Sequence, residues 1–201
     1  MIKTIIFDWG GVLAIGRYTK AILKNISERK NIDANGVYSE FDKLMVEMNS
    51  GKINFKEFVQ KTERKLNLGI NEEEMKEIFR KSIIFSEDVV QIAKELSQKY
   101  EMIMMSDNDE ATVENLKKDY PDILTLFSKK YFSHELKMRK PDSEFFKHVL
   151  KDLNAKGVEC IFIDDKQKNV DVAVNEGMIG ILFTGADKLK EDLLSLGIEL
   201  N

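Results

Sequence analysis

Three short apolar runs in this chain end directly in residues that can do chemistry. TIIF (4–7) leads into Asp8-Trp9-Gly10-Gly11, MIMM (102–105) into Ser106-Asp107-Asn108, and CIFI (160–163) into Asp164-Asp165. A further polar element, Lys140-Pro141-Asp142, stands ahead of the last of these runs. If the chain brings these segments together, Asp8, Asp164 and Asp165 share one confined site and repel one another unless a cation neutralises them. A small set of hard oxygen ligands suits Mg²⁺, which keeps several waters and completes its shell with substrate oxygens. Lys140 and Ser106 would then hold phosphoryl oxygens by charge and hydrogen bond. A carboxylate such as Asp8 can attack phosphorus to give an aspartyl-phosphate that water later cleaves, with the cation shielding the approach of one anion to another.

The elements that must position these residues are legible from the apolar pattern. The three runs, with GILF (180–183) as a fourth, have the length of parallel strands buried on both faces and lack clean alternation. Helical stripes lie between them: Val89, Ala93 and Leu96 in 87–98; Phe146, Val149, Leu150 and Leu153 in 143–153; Val170, Ala173 and Val174 in 166–176. Strands alternating with helices predict an α/β fold with a doubly wound, Rossmann-like parallel sheet. In such a sheet ligands bind beyond the carboxyl ends of the strands, which is where the acids fall. Residues 16–85 break the alternation with four helices and no strand. Asn54 with Glu57, and Asn71 with Glu74, carry a variant of the capping box that opens a helix. The expected division is a core of residues 1–15 and 86–201 with a helical insertion at 16–85.

Composition narrows the partners. In 201 residues, 31 Lys plus Arg against 35 Asp plus Glu give a net charge of −4, which offers no electrostatic footprint for nucleic acid or an anionic membrane. No apolar stretch approaches the roughly 18 residues of a membrane span. The single Cys160 excludes an intrachain disulfide and favours a reducing compartment. The segment MIKTIIFD lacks the apolar centre of a signal peptide, so a cytoplasmic protein is expected. The oligomeric state is not legible.

IIFDWGGVL, MMSDN, LKMRKPDSEFF and IFIDDKQKNVDVAVNEGM resemble, in order and at sensible separations, the four motifs of the haloacid dehalogenase (HAD) superfamily. The resemblance covers about residues 1–15 and 86–201, and the helical insert is similar to the cap of the subfamily that includes small sugar-phosphate phosphatases and dehalogenases. It implies a Mg²⁺-dependent hydrolase of small phosphorylated metabolites. By that resemblance Asp8 is nucleophile and metal ligand, the Gly10 carbonyl is a further ligand, and Asp164 and Asp165 hold Mg²⁺. Ser106, with Asp107 beside it, contacts the phosphoryl group, Lys140 neutralises it, and Asn169 fixes the loop after the fourth motif.

Two positions depart from the family pattern. Most phosphatase members carry a second acid two residues after the nucleophile, as general acid for the leaving group; here that residue is Gly10, and residues 14–17 supply no substitute acid. Asp107 stands where relatives commonly have Asn, and an added negative charge near phosphate is unhelpful unless it points away or pairs with Lys140. The competing readings are a phosphate-binding or regulatory relative that has lost turnover through Gly10, and a 2-haloacid dehalogenase with Arg17 serving the departing halide. A phosphomutase is disfavoured by the missing acid. Taken singly, Asp8 reads equally as a turn residue, Ser106 as a helix cap and Lys140 as a solvated lysine. His134 and His148 lack an accompanying nucleophile motif, the methionines read as core filler, and Trp9 reads as either packing or an aromatic wall.

Overall fold

The computed structural model describes residues 1–15 and 18–200. Among them five parallel strands form one sheet in the order β3-β2-β1-β4-β5, with β1 Thr4–Phe7, β2 Glu101–Ser106, β3 Lys129–Phe132, β4 Cys160–Asp164 and β5 Ile179–Leu182. The helices are α1 Tyr18–Lys30, α2 Ala34–Asn49, α3 Phe55–Leu66, α4 Glu72–Lys81, α5 Glu87–Leu96, α6 Glu110–Asp119, α7 Pro121–Leu124, α8 Ser133–Leu136, α9 Ser143–Asp152, α10 Gln167–Asn175 and α11 Ala186–Ser195.

The central strand β1 is buried along its whole length, and its alternate residues feed two different cores, as the pleat requires. Ile5 and Phe7 join Val89, Ala93 and Leu96 of α5, Val113 and Leu116 of α6 and Leu189 and Leu193 of α11 on one face. Ile6 joins Phe145, Phe146 and Val149 of α9 and Ala173 of α10 on the other. Helices on both faces explain why the strands read as unbroken apolar runs. The strand order reverses between β1 and β4, so the crevice beyond their carboxyl ends is the topological switch point, where open α/β sheets bind ligands. Asp8 and Asp164 sit there.

Helices α1–α4 build a separate apolar cluster from Ile22, Phe41, Phe58, Ile78 and Phe79 among others, which also takes in Ala111 of α6. Both expected capping boxes are formed, with Asn54 and Asn71 accepting from Glu57 N and Glu74 N while each glutamate returns a bond to the cap. The chain on either side of this helical segment is laced together: Ala14 bridges Phe85 antiparallel, Ile15 N donates to Ile84 O at 2.7 Å, and Ser86 N donates to Leu13 O at 2.9 Å. Further contacts tie the segment to the sheet layers, an Arg80–Asp119 ion pair on the α4–α6 side and a bond from Ser133 Oγ to Asn49 O on the α2–α8 side.

Three expectations are corrected. A fifth strand, β3, joins the four expected; its residues Lys129 and Lys130 are exposed or half-buried, and it pairs only with β2 at the sheet edge. Val174 is 52% exposed, so the buried stripe of α10 is Val170 and Ala173 without it. Helix α2, which the apolar stripe of Phe41, Leu44, Met45 and Met48 places at 37–49 by sequence, starts at Ala34 instead, because Asp33 caps it by accepting from Asn35 N and Gly36 N.

Candidate active site

Asp8 leaves the end of β1 almost fully buried, with its backbone N–H still in the sheet ladder through Ile163 O at 2.9 Å. Its Oδ1 accepts from the Trp9 N–H at 2.6 Å and from Lys140 Nζ at 2.7 Å. The chain then turns at Gly11, where φ is +88° and an added Cβ would stand 2.5 Å from Asp165 Oδ2. Glycine is needed at this position both for the left-handed backbone and for the close approach of the two loops.

Lys140 is the hinge of the charge arrangement. Its ammonium donates to Asp164 Oδ2 at 2.7 Å and to Met105 O at 3.0 Å besides meeting Asp8. Burial alone would depress its pKa, but Asp8, Asp164 and Asp107 together raise it, so the lysine is held as a cation. Asp8 responds the other way. Burial lifts its carboxyl to about 7 and the Asp164 charge adds to the rise, both only partly offset by Lys140. Asp164 is also pushed up by burial, yet Lys140, the Asn169 amide and the Lys166 N–H hold it below the ordinary range.

Asp8, Asp164 and Asp165 each bring a carboxylate oxygen within 4.8 Å of the others. Three carboxylates against one fully buried ammonium leave the cluster short of positive charge, and every donor is a hard oxygen. Such a set fits Mg²⁺. The three do not stand equally. Asp8 and Asp165 line the cavity beyond the sheet edge, with Gly10 beside them. Asp164 is fully buried behind Lys140, both of its oxygens taken up by Lys140 Nζ, Asn169 Nδ2 and Lys166 N. Besides belonging to the three-carboxylate cluster, Asp164 therefore seats Lys140, and the Asn169 amide donates to both of its oxygens at 2.9 Å.

The second motif is also rearranged. Ser106 is 1% exposed and accepts from Asn108 Nδ2 at 3.2 Å, while Asp107 and Asn108 line the cavity. Asp107 does not carry an unpaired charge. Its Oδ1 accepts from the Lys140 N–H at 3.0 Å and its Oδ2 from Arg139 Nη2 at 3.2 Å, clamping the loop that carries Lys140. Asn108 and Arg139 are site residues that sequence reasoning missed. Asn108 could have been found as the third polar residue after β2; Arg139 carried no signal beyond adjacency to Lys140.

Above this floor lies a cavity of about 600 Å³, which Tyr18 of α1 and Tyr38, Asp42, Val46 and Asn49 of α2 also line. Arg17 lies outside the described residues. No helix among the described residues is long and apolar enough to cross a membrane.

The sequence profile of the haloacid dehalogenase-like hydrolases matches residues 2–177. The chain belongs to this family. It is 46% identical over 63 residues, 31% of its length, to flavin mononucleotide hydrolase 1 of Arabidopsis thaliana, and 51% identical over 47 residues, 23% of its length, to the sesquiterpene phosphatase astK of Aspergillus oryzae. Those matches span 26% and 24% of the two relatives. A HAD family enzyme from Bacteroides thetaiotaomicron, solved with magnesium and inorganic phosphate, superposes with a TM-score of 0.77 over 90% of this chain and 93% of its own at 23% identity. This HAD hydrolase therefore shares the fold across both the sheet and the helical segment.

Gly11→Ala gives a first test of the floor. Its methyl group forces the Asp165 carboxylate aside, so Mg²⁺ affinity should fall by about 10–100-fold, read by calorimetric titration with the fold checked by circular dichroism. An unchanged affinity in a folded variant would count against Asp165 as a ligand.

Proposed function

We propose that this HAD hydrolase is a Mg²⁺-dependent phosphomonoesterase acting on small phosphorylated metabolites, with Asp8 as the nucleophile. The observation that carries the reading is the Lys140 ammonium held 2.7 Å from both Asp8 and Asp164, beside a three-carboxylate cluster. Phosphatase names among the relatives and the magnesium and phosphate bound by the Bacteroides enzyme support it.

Asp8, Asp165 and the Gly10 carbonyl would hold Mg²⁺, which supplies charge neutralisation to the transferring phosphoryl group. Asp8 Oδ2, the oxygen not engaged by Trp9 N or Lys140, attacks phosphorus as the ester oxygen departs, and water then cleaves the aspartyl-phosphate. Lys140 favours the ionised form of Asp8 against the effect of burial and receives phosphoryl oxygens; the Asn108 amide, steadied by Ser106, lines the same position. Residues 16–85 form a cap domain over a core of 1–15 and 86–201, limiting entry to small substrates and excluding water during transfer. The cytoplasm is the proposed location, from the lone buried Cys160.

Release of p-nitrophenol from p-nitrophenyl phosphate with Mg²⁺ and with EDTA tests this reading. Turnover in EDTA equal to that with Mg²⁺ would reject it. Gly10 favours one second reading, phosphate binding without hydrolysis, and Mg²⁺-dependent binding of phosphate with no product would establish that instead.

A Cβ built on Gly10 meets nothing within 4 Å, so an acid can be restored there. Gly10→Asp should raise kcat/KM for alkyl phosphates, whose poor leaving groups need a proton, by about 10²-fold or more. The gain for p-nitrophenyl phosphate should be much smaller. Equal gains for both would show that proton transfer is not what Gly10 has removed.

A further inference from the structure

Helix α2 presents Tyr38, Asp42, Val46 and Asn49 to the cavity at spacings of four, four and three residues, a single stripe along one face. Asp42 is half-buried, and among the described residues no cation or hydrogen-bond donor engages its carboxylate. Asn49 Oδ1 is buried without a hydrogen-bond partner. One charged acceptor, Asp42, thus lines the space where a leaving group would lie, on the same helix face as Asn49, whose side-chain oxygen is buried and unpaired. Among the described residues, the cations that line the cavity are Arg139, Lys140, Lys166 and Lys168, all on the sheet side where the phosphoryl group would bind, and Arg139 and Lys140 are already paired with Asp107, Asp8 and Asp164.

Buried acceptors left without donors are costly, and a ligand that supplies donors recovers that energy. A carboxylate or second phosphate on the leaving group would instead meet Asp42 as a like charge. We infer that the substrate is a phosphate monoester whose alcohol portion carries ammonium or hydroxyl donors, recognised by Asp42 and Asn49 while Tyr38 and Val46 pack against its carbon chain. This rests on the phosphomonoesterase reading for the position of the phosphate.

Hydrolysis-resistant phosphonates separate the two claims, because their binding needs no turnover. Calorimetry in Mg²⁺ would compare 3-aminopropyl-, 3-hydroxypropyl-, butyl- and 2-carboxyethylphosphonate on the wild type and on Asp42→Asn. The expected order of affinity is amino, then hydroxyl, then butyl, with the carboxylate weakest. Asp42→Asn should weaken the amino ligand about tenfold, leave butylphosphonate within about twofold, and improve the carboxylate. Binding of the carboxylate ligand as tight as the amino one overturns the inference. So does an equal loss for all four ligands in Asp42→Asn, which would make Asp42 a closure contact to Lys166 or Lys168. Failure of all four to bind an enzyme that hydrolyses p-nitrophenyl phosphate sinks recognition alone. Absence of that hydrolysis sinks the phosphatase reading and leaves the order of binding to be read.

Discussion

Asp8→Asn should abolish Mg²⁺-dependent phosphate release, lowering kcat by at least about 10⁴-fold, or roughly 5 kcal/mol of transition-state stabilisation at 1.36 kcal/mol per decade. The amide matches the carboxylate in shape but has no anionic oxygen to form the bond to phosphorus. The same variant has a second expected signature, in stability. The Asp8 carboxyl sits at about 7 in the fold, against an ordinary value of 3.8. Between those values the folded chain keeps a proton that the unfolded chain has lost, so wild-type stability falls as pH rises from about 4 to 7 and then levels. Asn carries no such penalty. In EDTA, denaturant unfolding should find Asp8→Asn more stable than wild type at pH 8, by on the order of 1–3 kcal/mol, and nearly equal to it at pH 4. Loss of activity with no pH-dependent gain in stability would mean that Asp8 is paired more completely than the geometry indicates. Substantial residual hydrolysis would remove it as nucleophile.

Lys140→Met should be the most damaging single change to the metal-free protein. Asp8 is 3% exposed and Asp164 fully buried, and one ammonium serves both at 2.7 Å. Removing it leaves two buried carboxylates without their cation, held only by Trp9 N, Lys166 N and the Asn169 amide, for which about 3–5 kcal/mol of destabilisation is expected. Magnesium ions should restore part of that loss by mass action on the folded state; chelation should expose it fully. Urea unfolding at pH 8, with EDTA and with excess Mg²⁺, reads both terms. A loss below about 1 kcal/mol in EDTA would show that water reaches the pair and that Lys140 is dispensable for structure.

The sheet was legible wherever burial on both faces made a strand uniformly apolar, and illegible where it did not. Strands β1, β2 and β4 satisfied that condition; β5, an edge strand that is mostly half-buried, was read because its residues are nevertheless apolar. Lys129 and Lys130 hid β3, because an edge strand has one free side on which charge is tolerated and even protective. Helices α3 and α4 announced their starts through Asn54–Glu57 and Asn71–Glu74, which form reciprocal bonds within four residues. Such local chemistry needs no knowledge of the rest of the chain. The site divides along the same line. Asp8 and the two adjacent acids are identifiable because each follows an apolar run, and Lys140 only through the Lys-Pro-Asp motif. What each one touches is a three-dimensional fact: Asp164 bonded to Lys140, Asp107 clamping the loop that carries Lys140, and Asn108 bonded to the buried Ser106. The α2 stripe escaped notice because Tyr38, Asp42 and Asn49 look like an ordinary solvated helix face until the sheet is placed beneath them.

The paired segments 13–15 and 84–86 mean that the polypeptide enters and leaves the helical segment through one doorway, stitched shut on its own inner edge. Neither β1 nor α5 depends for its position on how many residues are looped out between Ile15 and Ile84. A lineage can lengthen, exchange or discard that loop while the acid-and-lysine floor stays in register, so catalytic chemistry and substrate choice are free to change at different times.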